Sequence, residues 1–223
     1  MIELNNVTIA HRGLPVLREG TARFNPGEAI LLTGPTGSGK TSLIRALYGD
    51  IKPSEGSINV NGVNLSTISP GKLPALRRKM GIIFQDDRLL YDRNVFENMR
   101  FALSIRVGST SEINRLALQA LADIGLSHLR SKHPDQLSGG EAQRVGVARA
   151  VSSSPDIILA DEPTGDLDPE TTDEIFRFLA SRRTSENLFV IATHDYERAL
   201  QAFPDARTVR LEGDRLEEAV SNS

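Results

Sequence analysis

The residues with the clearest chemistry lie at 34–42, Gly34-Pro35-Thr36-Gly37-Ser38-Gly39-Lys40-Thr41-Ser42. Glycines at 34, 37 and 39 let successive backbone N–H groups point into one concavity, which suits phosphate oxygens. The loop follows an apolar run, Ala29-Ile30-Leu31-Leu32-Thr33, and opens a helix-like segment through Tyr48. A helix N-terminus then adds positive partial charge to the same concavity. Lys40 is placed to reach β- and γ-phosphates, and Thr41 to offer a hydroxyl to Mg²⁺. The plain alternative is a glycine-rich turn with a surface lysine. The strand before it and the helix after it favour a nucleotide.

A second group is Asp161-Glu162, at the end of the apolar run Ile157-Ile158-Leu159-Ala160. Ligands of open α/β sheets bind at the C-terminal ends of buried parallel strands. Asp161 suits Mg²⁺, partly through water, and Glu162 suits a general base that polarises an attacking water at the γ-phosphate. Alone, the pair also reads as a solvated strand end. On one sheet with the loop at 34–42 it reads as the other half of a hydrolytic site. A third group is Leu137-Ser138-Gly139-Gly140-Glu141-Ala142-Gln143-Arg144. Ser138 and the two glycines form a second donor-rich anion site at a helix start. They also form a capping box, with Ser138 as N-cap and Glu141 three residues on. The readings are compatible, since capping presents the N–H groups.

The elements that must position these groups follow from periodicity. Ile2–Leu4 and Val7–Ile9 read as short strands, and Ser57–Val60 and Val63–Leu65 flank Asn61-Gly62 as a hairpin. Apolar residues recur at helical spacing in Ser111–Gly125 and again in Gly140–Ser152. A helix starts at Pro169 with Asp168 as its cap, and Leu188–Thr193 is another buried strand. Strands alternating with helices imply a mostly parallel sheet with covered faces. Glu212–Ser223 is polar and reads as a loosely held tail.

Composition excludes several classes. A chain of 223 residues buries on the order of 70% of its unfolded surface and needs no disulfide or metal to hold its core. The absence of cysteine rules out a disulfide framework and Cys-ligated zinc or iron–sulfur sites. Lys+Arg 26 against Asp+Glu 29 gives −3, which argues against a broad nucleic-acid footprint. No apolar run approaches the ~18 residues of a membrane span. A reducing, cytoplasmic compartment is expected.

The chemical groups also form an ordered set. After the loop at 34–42 comes Gln85, ending Gly81-Ile82-Ile83-Phe84-Gln85. Then follow Leu137–Arg144, Asp161-Glu162, Gly165-Asp166-Leu167-Asp168, and His194 after Ile191-Ala192-Thr193. This set resembles the ATP-binding cassette (ABC) ATPases, from about Ile2 to Leu211. The resemblance implies an α/β fold of the P-loop NTPase class: a RecA-like parallel-sheet core, an N-terminal antiparallel β subdomain and a helical subdomain. It implies one domain over 1–223, with 1–85 and 156–223 as the nucleotide-binding core and 86–155 as the helical subdomain. The implied activity is hydrolysis of ATP to ADP and phosphate with Mg²⁺, held by Thr41, Gln85 and Asp161. Gln85, Glu162 and His194 would be catalytic, with His194 on the γ-phosphate and orienting the water. Asp168 would belong to the D-loop at the nucleotide. Ser138, Gly139, Gly140 and Glu141 would meet the ATP of a second copy, in a head-to-tail, ATP-dependent homodimer. His11 stands where the family usually has an aromatic residue stacked on adenine, and Asp166 where asparagine is frequent.

The segment after Gln85 reads Asp86-Asp87-Arg88-Leu89-Leu90-Tyr91-Asp92-Arg93-Asn94-Val95-Phe96-Glu97-Asn98. It resembles the branch of the family that acts in bacterial cell division. Lipoprotein-release and macrolide-export ATPases, the alternative reading, usually lack the aspartate after the glutamine and the Asp-Arg pair. The division branch implies a polytopic membrane partner bound through Asp86–Asn98, a place on the cytoplasmic face of the inner membrane, and no nucleic acid. Charged residues interleaved with Leu89, Leu90 and Phe96 speak against full burial of this segment.

Overall fold

The apolar runs become the strands of two sheets in the computed structural model, which describes residues 1–11 and 13–218. In chain order the elements are β1 (Ile2–His11), β2 (Leu14–Phe24), β3 (Ala29–Thr33), α1 (Lys40–Leu47), β4 (Glu55–Val60), β5 (Val63–Asn64), α2 (Leu73–Arg77), β6 (Met80–Ile83), α3 (Val95–Ser104), α4 (Thr110–Asp123), α5 (Gly139–Val151), β7 (Ile157–Asp161), α6 (Pro169–Ser181), β8 (Leu188–Ala192), α7 (Tyr196–Ala202), β9 (Arg207–Glu212) and β10 (Arg215–Glu218). The first sheet is antiparallel, in the order β2-β1-β4-β5. The second runs β10-β9-β3-β8-β7-β6, parallel throughout except for β10.

Side-chain alternation along β3 serves two cores. Ile30 and Leu32 face the antiparallel sheet and α1, packing with Ile2, Leu4, Leu43 and Leu47. Ala29 and Leu31 face the helices, packing with Met99, Val145, Phe176 and Phe189. Both faces of the parallel sheet are therefore dry, which is why its strands read as unbroken apolar runs. Burying a side chain such as Phe176 or Phe189 contributes roughly 1.5–3 kcal/mol.

The hairpin at Asn61-Gly62, the helices over 110–123 and 139–151, and the Asp168 cap of α6 stand close to their expected places. Three readings change. The two short N-terminal strands are one strand, β1, interrupted by register shifts near Asn6, whose φ of 49° breaks the alternation. Gln85 lies beyond its strand, which ends at Ile83. The C-terminal tail is pinned as far as Glu218. β10 pairs with β9, and Arg18 Nε on β2 donates to Asp214 at 2.7 Å. Edge pairing orders this polar stretch without any apolar pattern. The remainder of the tail, 219–223, lies outside the described residues.

Candidate active site

The loop at 34–39 joins β3 to α1 and is built from backbone conformations that only glycine tolerates there. Gly34 has φ 140°, and a Cβ on it would stand 2.1 Å from the Leu211 carbonyl oxygen. Gly39 has φ 100°, caps α1, and sits 2.9 Å from the Val16 oxygen by the same measure. No side chain caps α1 and no acid occupies its first turn, so its leading N–H groups face the loop without a protein partner. Lys40 is buried, and its Nζ donates to the carbonyls of Gly34 at 2.8 Å and Pro35 at 3.3 Å. Ser38 Oγ is buried with no hydrogen-bond partner. A buried hydroxyl left single amid converging donors fits a phosphate group.

The carboxylates close the other side. Thr41 Oγ1 donates to Asp161 Oδ1 at 2.9 Å, tying α1 to the end of β7. Burial pushes the Asp161 carboxyl up, the Thr41 hydrogen bond opposes this, and the neighbouring Glu162 charge adds to the rise. Glu162 follows with φ 47°, a left-handed conformation that costs a side-chain-bearing residue on the order of 1–3 kcal/mol. Its N–H donates to the Ala192 carbonyl at 2.8 Å, and its Oε2 accepts from the His194 N–H at 3.0 Å. His194 Nδ1 lies 2.8 Å from the same oxygen. Thr164 Oγ1 donates to Asp195 Oδ2 at 2.8 Å, fastening the turns after β7 and β8 to each other.

One cavity of about 450 Å³ gathers these parts. It is lined by the phosphate loop with Lys40, Thr41 and Ser42, and by Gln85, Glu162 and His194. Val16 of β2 also lines it; nothing in its local sequence marks it as a site residue. A neighbouring cavity of about 540 Å³ is lined by Thr41, Gln85 and Asp161. Among the described residues no three His, Asp or Glu side chains converge as a metal cage. A hydroxyl, a carboxylate and an amide oxygen are instead the sparse hard-oxygen set that suits Mg²⁺ carried with phosphates.

Two expected members stand apart. Ser138, Gly139, Gly140 and Glu141 open α5 and line neither cavity. Ser138 Oγ accepts from Glu141 N–H at 3.2 Å, and Glu141 Oε2 accepts from Ser138 N–H at 2.8 Å, a complete capping box. That backbone hydrogen bond holds the Glu141 carboxyl below its usual range. Asp168 caps α6, accepting from the N–H groups of Glu170 and Thr171, which lowers its own carboxyl too. Asp168 also lines neither cavity, whereas Asp166, with φ 62°, lines the one around the loop. The side chain of His11, expected at adenine, lies outside the described structure.

The ABC transporter family model matches residues 17–165, a run that spans the phosphate loop, the α5 start and the acidic strand end. This chain belongs to that family. The cassette is 40% identical over 198 residues to the cell division ATP-binding protein FtsE of Bacillus subtilis, covering 88% of this chain and 87% of that one. It is 40% identical over 196 residues to the FtsE of Escherichia coli K12, covering 87% and 88%. Among solved structures, it superposes with TM-score 0.89 and 29% identity on a dimeric, post-hydrolysis ATP-binding cassette, MJ0796, bound to ADP and Pi, with all of each chain covered. Among the described residues of the cassette no helix is long and apolar enough to cross a membrane.

Proposed function

We propose that this cassette is the ATP-hydrolysing subunit of an inner-membrane complex of the FtsE–FtsX type, acting in bacterial cell division and the control of cell-wall hydrolysis. The chemistry is carried by one observation: Glu162 and His194 are joined at 2.8 Å on the wall of the cavity that the phosphate loop forms. ATP binds with its phosphates on the loop N–H groups, and Lys40 exchanges the Gly34 and Pro35 carbonyls for phosphate oxygens. Thr41, Asp161 and Gln85 would hold Mg²⁺, which when bound neutralises charge on the phosphate oxygens. A water attacks the γ-phosphorus, its proton passes to Glu162, and the bond to the β–γ bridging oxygen breaks to release ADP. His194 fixes the Glu162 carboxylate and orients the water.

The start of α5 lines neither cavity, which supports the reading that it serves a second copy. Two cassettes pack head to tail, and Ser138 and Gly140 of each close on the other's ATP. Within each chain, 86–155 acts as the helical subdomain against a core of 1–85 and 156–223. Asp86–Asn98 takes the FtsX-like partner, and the complex sits on the cytoplasmic face of the inner membrane. That segment is two-sided: Asp86, Arg88, Tyr91 and Asp92 are exposed, while Leu89, Val95 and Asn98 are buried. The cell-division role is supported by the relatives' names and by their coverage of almost the same length of chain. The test is to trap Glu162→Gln with ATP in its host and identify the membrane protein that co-purifies. An FtsX-like protein bears the reading out. A permease with a lipoprotein- or solute-handling domain overturns it and leaves the catalytic assignments standing.

A further inference from the structure

Gln143 lies on α5, 5% exposed, and neither the phosphate chemistry nor the capping box uses it. Its Nε2 donates to the Phe84 carbonyl at 3.0 Å and to the Pro163 carbonyl at 2.9 Å. A side-chain amide has two N–H donors, and both are committed here. The acceptors are informative. Phe84 precedes Gln85, and Pro163 follows Glu162. β6 and β7 pair as parallel strands only as far as Ile83 and Ala160, so beyond that point the two catalytic turns have lost their ladder. Gln143 replaces it with a two-pronged bridge.

The bridge has work to do at Glu162. That residue sits at φ 47°, which needs outside restraint, and Pro163 has no N–H with which to anchor itself. The Glu162 N–H is fixed to Ala192 on one side, and the Pro163 carbonyl is fixed to Gln143 on the other. The same helix also grips the segment after Gln85. Arg149 donates to the carbonyls of Asp87 at 3.0 Å and Arg88 at 2.9 Å. Gly146 lets α5 approach so closely that a Cβ there would stand 3.0 Å from the Asp87 oxygen.

We infer that Gln143 is a positioning residue for hydrolysis: it sets the Glu162–Pro163 turn against the Gln85 loop and passes displacement of residues 84–88 to the general base. The inference rests on Glu162 being that base. Gln143→Met keeps the length of the side chain and removes both donors. Gln143→Glu keeps size and polarity but opposes a carboxylate to two carbonyls, so it reads the same split independently. In the full chain, both variants should bind ATP within about twofold of the parent, with kcat lowered roughly 10- to 100-fold and more for Glu than for Met. Thermal unfolding measured alongside separates this from general damage. In a Glu162→Gln background, Gln143→Met should cause no further loss of the residual turnover, because the group it positions is gone.

Full-rate turnover by folded Gln143→Met beside a stalled Glu162→Gln overturns this inference alone. So does a parallel fall in ATP affinity, unfolding temperature and kcat, which marks a purely structural role, or an undiminished loss in the Glu162→Gln background. Normal turnover by Glu162→Gln itself overturns the general-base assignment, and this inference with it.

Discussion

The two helix starts assigned to ATP are built in opposite ways. α1 opens from Gly39 in a left-handed conformation, with no side-chain cap, no first-turn acid and an unpartnered Ser38 hydroxyl beside it. α5 opens from Ser138 with a capping box in which serine and Glu141 satisfy each other's backbone N–H groups. Donors without a protein partner give up only water when an anion arrives. At α5 the box occupies the Ser138 and Glu141 N–H groups, which only exchange one acceptor for another, and leaves those of Gly139 and Gly140 without a protein partner. On the proposed reading the first start is thus an unconditional phosphate site. The second, half capped by its own side chains, is conditional on the second copy that the proposed function requires. Under the proposed head-to-tail dimer, a cassette that holds nucleotide before it closes needs both kinds.

The comparison can be broken at its strong end first. Lys40→Ala removes charge-assisted hydrogen bonds worth about 1.5–3 kcal/mol each and the clasp on Gly34 and Pro35, so ATP affinity should fall on the order of 100-fold or more in a direct binding titration. Retained affinity would remove the loop at 34–42 from the site. Glu162→Gln should leave that affinity intact and lower turnover by about 10²- to 10⁴-fold, accumulating a dimer visible by size-exclusion chromatography with ATP. Ser138→Arg tests the conditional end. Monomer binding should stay within about twofold while hydrolysis is lost, since in the proposed dimer the arginine occupies the face that closes on the other copy's γ-phosphate. Surviving hydrolysis by that variant sinks the contact between copies.

The same contrast explains what was legible in the sequence. The glycine turn between β3 and α1 and the acids at the end of β7 could be read directly as structure, because glycine-dependent backbone and strand-end acids leave type-and-spacing signatures. The sheet around them could be read too, since β3, β7 and β8 are buried on both faces and therefore almost purely apolar. What stayed hidden was held by tertiary contact. β2 alternates weakly, and its Val16 enters the site only because β2 crosses over Gly39. β10 is polar and exists through pairing with β9. Gln143 looks like one more polar residue in a helix start; its function is set by two carbonyls that are distant in sequence and adjacent only in the fold.

Glu141 gives the mildest and sharpest probe of the conditional site. Its carboxyl is held below the usual range chiefly by the Ser138 N–H, so the folded form favours the ionised state. A depressed folded-state value contributes stability that is present above the unfolded value, about 4.5, and is lost as pH falls through the folded value. Glu141→Gln keeps an oxygen acceptor for the cap and removes the charge from the positive end of α5. The expected loss at neutral pH is about 0.5 kcal/mol, small because the group is solvent-accessible. Denaturant titrations of parent and variant should therefore differ slightly at pH 7 and converge once acidification has protonated Glu141. If the gap persists at low pH, the charge is not what holds the cap, and the contrast with α1 reduces to hydrogen bonding alone.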